Sequence, residues 1–262
     1  MPALIFDCDG VLADTEKDGH LRAFNQTFDY FKLPVQWSVA DYAKRLKIGG
    51  GKERLKSLLT PEFIINAKLP SDSEGQSAAV ADWHRFKTEI YTELAEQGVM
   101  PARPGIARIV EEANIAGWKL AVASTSHEKS VRAVLNHVVG DELAAKFSVF
   151  AGDIVPKKKP APDIYLLALE KLAVTAGEVV VIEDSNNGLV ASTAAGLRTV
   201  VTVSSFTTDE DFDSAFLVVS SLGDYAPGEK TTVLKNPNYL ELSEVVTLND
   251  FKNILKTPRS VL

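Results

Sequence analysis

Two aspartates, Asp7 and Asp9, stand two residues apart at the end of the first apolar run and meet a glycine, in Phe6-Asp7-Cys8-Asp9-Gly10-Val11. Carboxylate oxygens so placed bind a hard cation such as Mg²⁺. One carboxylate can attack an electrophile while its neighbour moves protons. The pair reads equally well as an Asx turn. A second acidic pair shifts the balance: Val179-Val180-Val181-Ile182-Glu183-Asp184-Ser185 ends another apolar run in adjacent carboxylates. Unpaired buried charge is costly, so such an ending has little structural motive. If the two run ends adjoin, Asp7, Asp184 and Glu183 converge on one cation, although Asp184 or Ser185 also suits a helix N-cap.

Two more run ends complement the acids. Leu120-Ala121-Val122-Ala123-Ser124-Thr125-Ser126 finishes in three hydroxyls ahead of a helical pattern. Hydroxyls and N–H groups at a helix start bind anions, and plain capping by Thr125 or Ser126 uses the same residues. Lys157-Lys158-Lys159-Pro160-Ala161-Pro162-Asp163 offers the cation. Lysine runs are ordinarily solvated. Of these three, Lys159 is the one that the rigid Pro-x-Pro aims inward.

Such groups need a sheet whose strand ends gather at one edge. Short β-rich runs alternate with amphipathic stretches, the pattern of a parallel sheet flanked by helices. Strands are expected at residues 3–7, 118–123, 147–150, 179–183, 198–203 and 216–219. Between them Ile106, Ile109, Val110 and Ala113 follow helical spacing up to a cap at Gly117. Residues 131–138, 163–172 and 187–195 repeat that pattern. After Asp7 the chain does not return to the sheet until residue 118, and the interval reads as helical at 21–30, 39–46, 52–59 and 78–97. The expected fold class is therefore α/β, a Rossmann-like parallel sheet with a helical cap domain inserted after the first strand. Core is expected at residues 1–13 and 103–262, and cap at 14–102, with Pro101, Pro104 and Gly105 marking the re-entry. Beyond Ser205 lies a less regular tail with a short helix expected at residues 248–255.

The 262 residues, 45% hydrophobic and 24% charged, exclude disordered and fibrous classes. A formal charge of −7 argues against nucleic acid or an anionic membrane as partner, and no apolar run approaches the roughly 18–20 residues of a membrane span. The lone Cys8 excludes an intramolecular disulfide framework and fits a reducing compartment. Pro2 leads straight into a core strand, which leaves no room for a targeting peptide unless a leader has been trimmed upstream.

The order DxDGV, strand–Ser, Lys-Pro-x-Pro-Asp, strand–Glu-Asp resembles the haloacid dehalogenase superfamily of phosphotransferases, up to about residue 205. The insertion resembles that superfamily's first cap type. The stretch DGVLADTEKDGH, the cap sequences Ile48-Gly49-Gly50-Gly51-Lys52-Glu53-Arg54 and His84-Arg85-Phe86-Lys87-Thr88, Arg103-Pro104-Gly105 and GDIVPKKKPAPDIY are similar to the CbbY-like branch, in particular its plant and algal members. That branch is implied to contain phosphatases of xylulose-1,5-bisphosphate, a misfire product that inhibits the carbon-fixing enzyme rubisco.

The resemblance implies Asp7 as nucleophile and Asp9 as acid and base. It implies Mg²⁺ held by Asp7, Asp184 and the backbone carbonyl of Asp9, with Glu183 bound directly or one shell out. Ser124 and Lys159 would hold the transferring phosphate, with Thr125 beside them. In the cap, Lys52, His84 and Lys87 are candidates for substrate, as are Asp14 and His20 near the hinge and Arg103 before the re-entry turn. One departure stands out. In the β-phosphoglucomutase branch a cap histidine falls ten residues after the second aspartate. Here that position is Gly19, with His20 one step on, and one helical step turns a side chain by about 100°. A monomeric enzyme acting on a sugar bisphosphate is expected, in the plastid stroma after loss of a leader or in the cytoplasm. The alternatives are a sugar phosphomutase and a non-catalytic phosphate-binding regulator. A dehalogenase would leave Asp9 and the Glu183/Asp184 pair without purpose.

Overall fold

A computed structural model of the protein describes residues 1–258. The chain divides into two compact units, Met1–Asp14 with Pro101–Leu262, and Thr15–Met100.

The first unit is built on a seven-stranded sheet. Its strands are β1 (Ala3–Phe6), β2 (Lys119–Ser124), β3 (Phe147–Ala151), β4 (Val179–Glu183), β5 (Arg198–Thr202), β6 (Leu217–Val219) and β7 (Val233–Lys235), in spatial order β3-β2-β1-β4-β5-β6-β7. All neighbours are parallel except β6 and β7. Strands covered on both faces read as unbroken apolar runs, which is why Ala-Leu-Ile-Phe and Val-Val-Val-Ile mark β1 and β4 so clearly. β1 lies between β2 and β4, with Phe6 paired to both Val122 and Ile182. The carboxyl ends of three strands thus stand side by side at the point where strand order reverses, the position at which open α/β sheets bind ligands.

Alternation decides what each strand residue touches. Ala3, Ile5, Ala121, Ala123, Val179 and Val181 share a core with Ile164, Tyr165, Ala168 and Leu172 of helix Asp163–Leu172. Each fully buried aliphatic side chain contributes roughly 1.5–3 kcal/mol. The other helices of this unit are Ile106–Ile115, Glu128–Ala144, Asn186–Ala194 and Leu248–Lys256. The irregular tail completes the sheet. It supplies β6, then the short β7, which the sequence pattern does not announce, and a last helix packed against β4 and Ile106–Ile115.

The second unit is helical: α1 (Arg22–Tyr30), α2 (Val39–Arg45), α3 (Gly51–Lys56), α4 (Pro61–Asn66) and α5 (Ser73–Glu96). The α4 helix lies outside the expected set, although Thr60 caps Phe63 N and Pro61 occupies the first turn. The long α5 begins five residues before the expected 78, at an Asp72 cap. Ahead of α1, Glu16–Leu21 forms a π-helical turn in which His20 N donates to Thr15 O at 2.8 Å. Among the described residues no helix is long and apolar enough to cross a membrane.

Candidate active site

The site grows from the first residues beyond β1. Asp7 N donates to Ile182 O at 2.9 Å, which ties the end of β1 to β4. The chain then turns: Leu12 N donates to Cys8 O at 2.9 Å and Gly10 N to Ala13 O at 3.0 Å. Gly10 sits at φ +75°, and a Cβ there would lie 2.1 Å from Asp184 Oδ2. Only glycine permits both the turn and the close approach of the Asp184 carboxylate.

Lys159 reaches into this space. The loop before helix Asp163–Leu172, with a cis Lys159–Pro160 bond, buries its side chain. Its ammonium donates to Asp7 Oδ1 at 2.6 Å, to Glu183 Oε1 at 2.6 Å and to Ala123 O at 2.8 Å. Those contacts use all three of its N–H donors. Its sequence neighbours stay outside, Lys158 paired with Asp153 at 3.0 Å and Lys157 exposed.

Asp7, Glu183 and Asp184 are all buried, and each offers an oxygen within 4.8 Å of the others. Burial pushes the Asp7 carboxyl up to about 8; the Lys159 ammonium opposes this, while Glu183 and Asp9 add to it. Burial works against the Lys159 charge, but Asp7 and Glu183 overcome it and hold its pKa well above the usual lysine value. One ammonium faces three carboxylates, an imbalance that favours the protonated form of Asp7 or the entry of a further cation. Three buried carboxylate oxygens without soft or nitrogen donors fit a hard divalent ion.

Asp9 stands apart from that trio. Its carboxylate accepts from Ser126 Oγ at 2.5 Å, and Ser126 N donates to Ser124 Oγ at 3.1 Å. Ser124 is buried at the end of β2, and Thr125 is half-buried beside it. The hydroxyl run thus spends Ser126 on orienting Asp9, while Ser124 ends β2 and Thr125 follows it ahead of helix Glu128–Ala144.

Arg103, a candidate for substrate, holds main chain with one nitrogen: its Nη2 donates to Val203 O and Ser220 O at 2.7 Å and reaches Thr202 O at 3.4 Å. It ties the ends of β5 and β6. Burial lowers its pKa, with Asp14 and Asp184 opposing. Asp14, whose N donates to Pro101 O at 3.0 Å, has Ser205 Oγ 3.4 Å from its carboxylate. Within the helical unit, His20 and Lys87 are buried together, with Lys87 Nζ 2.6 Å from His20 Nδ1. His20 stacks on Tyr91 at 4.0 Å, and the ammonium faces the Tyr91 and Phe24 rings at 4.6 and 4.9 Å. His84 is half-buried beside Gly51, whereas Lys52 is exposed.

Residues 1–196 match the haloacid dehalogenase-like hydrolases. The chain belongs to that family. Within these haloacid dehalogenase-like hydrolases it is similar to a CbbY-like protein of Arabidopsis thaliana, 48% identical over 85% of this chain and 69% of the relative. It is also similar to the plasmid-borne CbbY protein of Cupriavidus necator, 41% identical over 86% of this chain and 87% of that one. The crystal structure of CbbY from Rhodobacter sphaeroides with phosphate superposes with a TM-score of 0.74 at 40% identity, covering 84% of this chain and 95% of that one.

The family's four motifs were legible as strand ends, but two participants were not. Ser126 reads from the sequence as a helix cap, yet it holds Asp9. Tyr165 reads as one apolar position in the helical spacing of residues 163–172, yet its hydroxyl donates to Glu183 Oε1 at 2.6 Å. A phenol at the sheet-facing position nearest Lys159 was the available signal.

Proposed function

We propose that this hydrolase is a Mg²⁺-dependent phosphatase of sugar bisphosphates that converts xylulose-1,5-bisphosphate to xylulose-5-phosphate. The observation that carries the reading is Asp7, buried beside the Lys159 ammonium and the Glu183/Asp184 pair, with Asp9 held separately by Ser126. A mutant of the Rhodobacter sphaeroides CbbY, 39% identical to this chain with a TM-score of 0.73, crystallises in complex with xylulose-1,5-bisphosphate, which supports the substrate class.

The chemistry follows from the side chains. The Asp7 carboxylate attacks phosphorus and the sugar oxygen leaves, forming an aspartyl phosphate. Asp9, oriented by Ser126, protonates the leaving oxygen and then takes a proton from the water that hydrolyses the acyl phosphate. Lys159, with one of its resting contacts released, and Ser124 donate to the transferring phosphoryl oxygens, where charge develops. Mg²⁺ bound by Asp7, Asp184 and the Asp9 carbonyl, with Glu183 outside the coordination shell, would supply the positive charge that offsets repulsion between nucleophile and phosphate. Exhaustive chelation should abolish turnover and Mg²⁺ should restore it; robust hydrolysis in chelator would remove the metal from the scheme.

Lys52, His84, Lys87, Asp14, His20, Arg103 and Thr125 complete the proposed substrate set, Lys52 toward the distal phosphate. Lys52→Ala should raise KM for bisphosphates several-fold, the scale of an exposed ion pair, and leave KM for monophosphates unchanged. Equal effects on both would dissociate Lys52 from that role. The plastid stroma is the proposed compartment, supported by the plant relative.

The deciding experiment measures phosphate release from a panel of pentose and hexose mono- and bisphosphates. A ketose 1,5-bisphosphate should be preferred; clear preference for an aldose monophosphate such as β-glucose-1-phosphate would sink the reading. A phosphomutase remains the second reading, because the π-helical turn at Glu16–Leu21 takes up one extra residue. That extra residue equals in number the one-step offset of His20. The β-phosphoglucomutase of Clostridium difficile superposes with a TM-score of 0.66 at 27% identity. A mutase would isomerise without net release of phosphate, so the same panel separates the two.

A further inference from the structure

Tyr165 has no part in the scheme above. It lies wholly buried in the apolar core on one face of the sheet, among Ala3, Ile5, Ala123 and Val181. A phenol there needs a partner, and the one it finds is Glu183. Glu183 Oε1 accepts from Tyr165 OH at 2.6 Å and from Lys159 Nζ at 2.6 Å. Its other oxygen accepts from Asp184 N at 3.1 Å and from Ser185 Oγ at 3.3 Å. Four donors fill the roughly four lone-pair sites of a carboxylate. On the remaining side the helix start at Gly188 closes in, where a Cβ would fall 1.9 Å from the carboxylate. Glu183 thus has one position and no spare valence. The Tyr165 ring completes the enclosure by facing the ammonium, with Lys159 Nζ 4.9 Å from its centroid.

Two donors sharing Glu183 Oε1 divide what that oxygen gives to each. If the phenol were absent, Lys159 would be the sole strong donor to it, and the ammonium would settle closer to Glu183 and further from Asp7. We propose that Tyr165 is a positioning residue of the phosphoryl-transfer site, whose hydroxyl saturates Glu183 and so keeps the Lys159 ammonium beside Asp7. The inference rests on the phosphatase reading for its kinetic consequence, while the arrangement itself is independent of substrate.

Tyr165→Phe keeps the ring and its packing and removes only the donor. Measured per folded molecule at saturating Mg²⁺, kcat should fall about tenfold, the usual scale for groups that orient a catalytic shell, with KM for the bisphosphate within twofold of wild type. A tyrosine that only filled the core would lower the melting temperature and leave kcat within twofold, and that result overturns the proposal. A second readout needs no turnover. In ¹⁵N-lysine NMR spectra of the metal-free protein, Lys159→Ala identifies the buried ammonium resonance by its loss. That resonance should shift in Tyr165→Phe; an unshifted resonance also overturns the proposal. If the wild type releases phosphate from no substrate, the phosphatase reading fails by itself and the ammonium resonance still decides the role of Tyr165.

Discussion

Asp7→Asn should lower phosphate release by at least about a thousandfold, because an amide oxygen cannot take the phosphoryl group. Residual turnover above roughly a per cent of wild type would indicate a different nucleophile. The fold should survive, and its pH dependence supplies an internal control. Burial raises the Asp7 carboxyl up to about 8 in the metal-free protein, so the folded state favours its protonated form. A carboxylate raised in the fold contributes stability that is complete below its unfolded pKa and is lost as pH climbs through the folded one. Chelated wild type should therefore lose stability between about pH 4 and pH 8, and Asp7→Asn should not. The gap between their melting temperatures should widen with pH; parallel curves across that window would contradict the assignment of the raised group to Asp7.

Lys159→Met has the second large effect, and it acts on stability as well as rate. The methionine fills the space of the stem, but Asp7 and Glu183 lose the ammonium that stands 2.6 Å from each, and Ala123 O loses its donor. Removing one member of a buried charge cluster costs about 3–5 kcal/mol. Denaturant unfolding in chelator should show a loss of that order, and saturating Mg²⁺ should restore part of it by returning positive charge to the carboxylates. Turnover should fall by about a thousandfold even in Mg²⁺, since the cation replaces the charge but not the donor aimed at the phosphoryl oxygens. A variant as stable as wild type in chelator would show that the ammonium is not what holds the carboxylates together.

The sheet was legible because burial on both faces writes a strand as an uninterrupted apolar run, and acids or hydroxyls at the end of such a run stand out against it. Residues 163–172 carried a helix pattern with bounds identical to the observed helix. Elements without a large buried face left weaker traces. Strand β7 is three residues with Val233 and Leu234 largely exposed, and helix α4 buries none of its residues. The interior of the site was legible by residue type and not by partner. Ser126 and Tyr165 bond across 117 and 18 residues of chain, and no local spacing encodes such pairings. Arg103 shows the converse: an arginine beside a turn suggests a ligand contact, and only the neighbouring strand ends reveal that its Nη2 is committed to main chain.

The tail has a further meaning. The match to the haloacid dehalogenase-like hydrolases as a whole ends at residue 196, two residues before β5 begins. The segment beyond it pairs with β4, receives Arg103 at Val203 and Ser220, and receives Arg108 at Gly223 and Val246. The matched span is thus smaller than what folds. A protein cut at residue 196 would carry every proposed catalytic group and yet bare the hydrogen-bonding flank of β4 that β5 covers, an invitation to pair with other chains. The acids, hydroxyls and lysine of the site all lie in the first three quarters of the chain, and the last quarter supplies the strands and carbonyls that hold their sheet together.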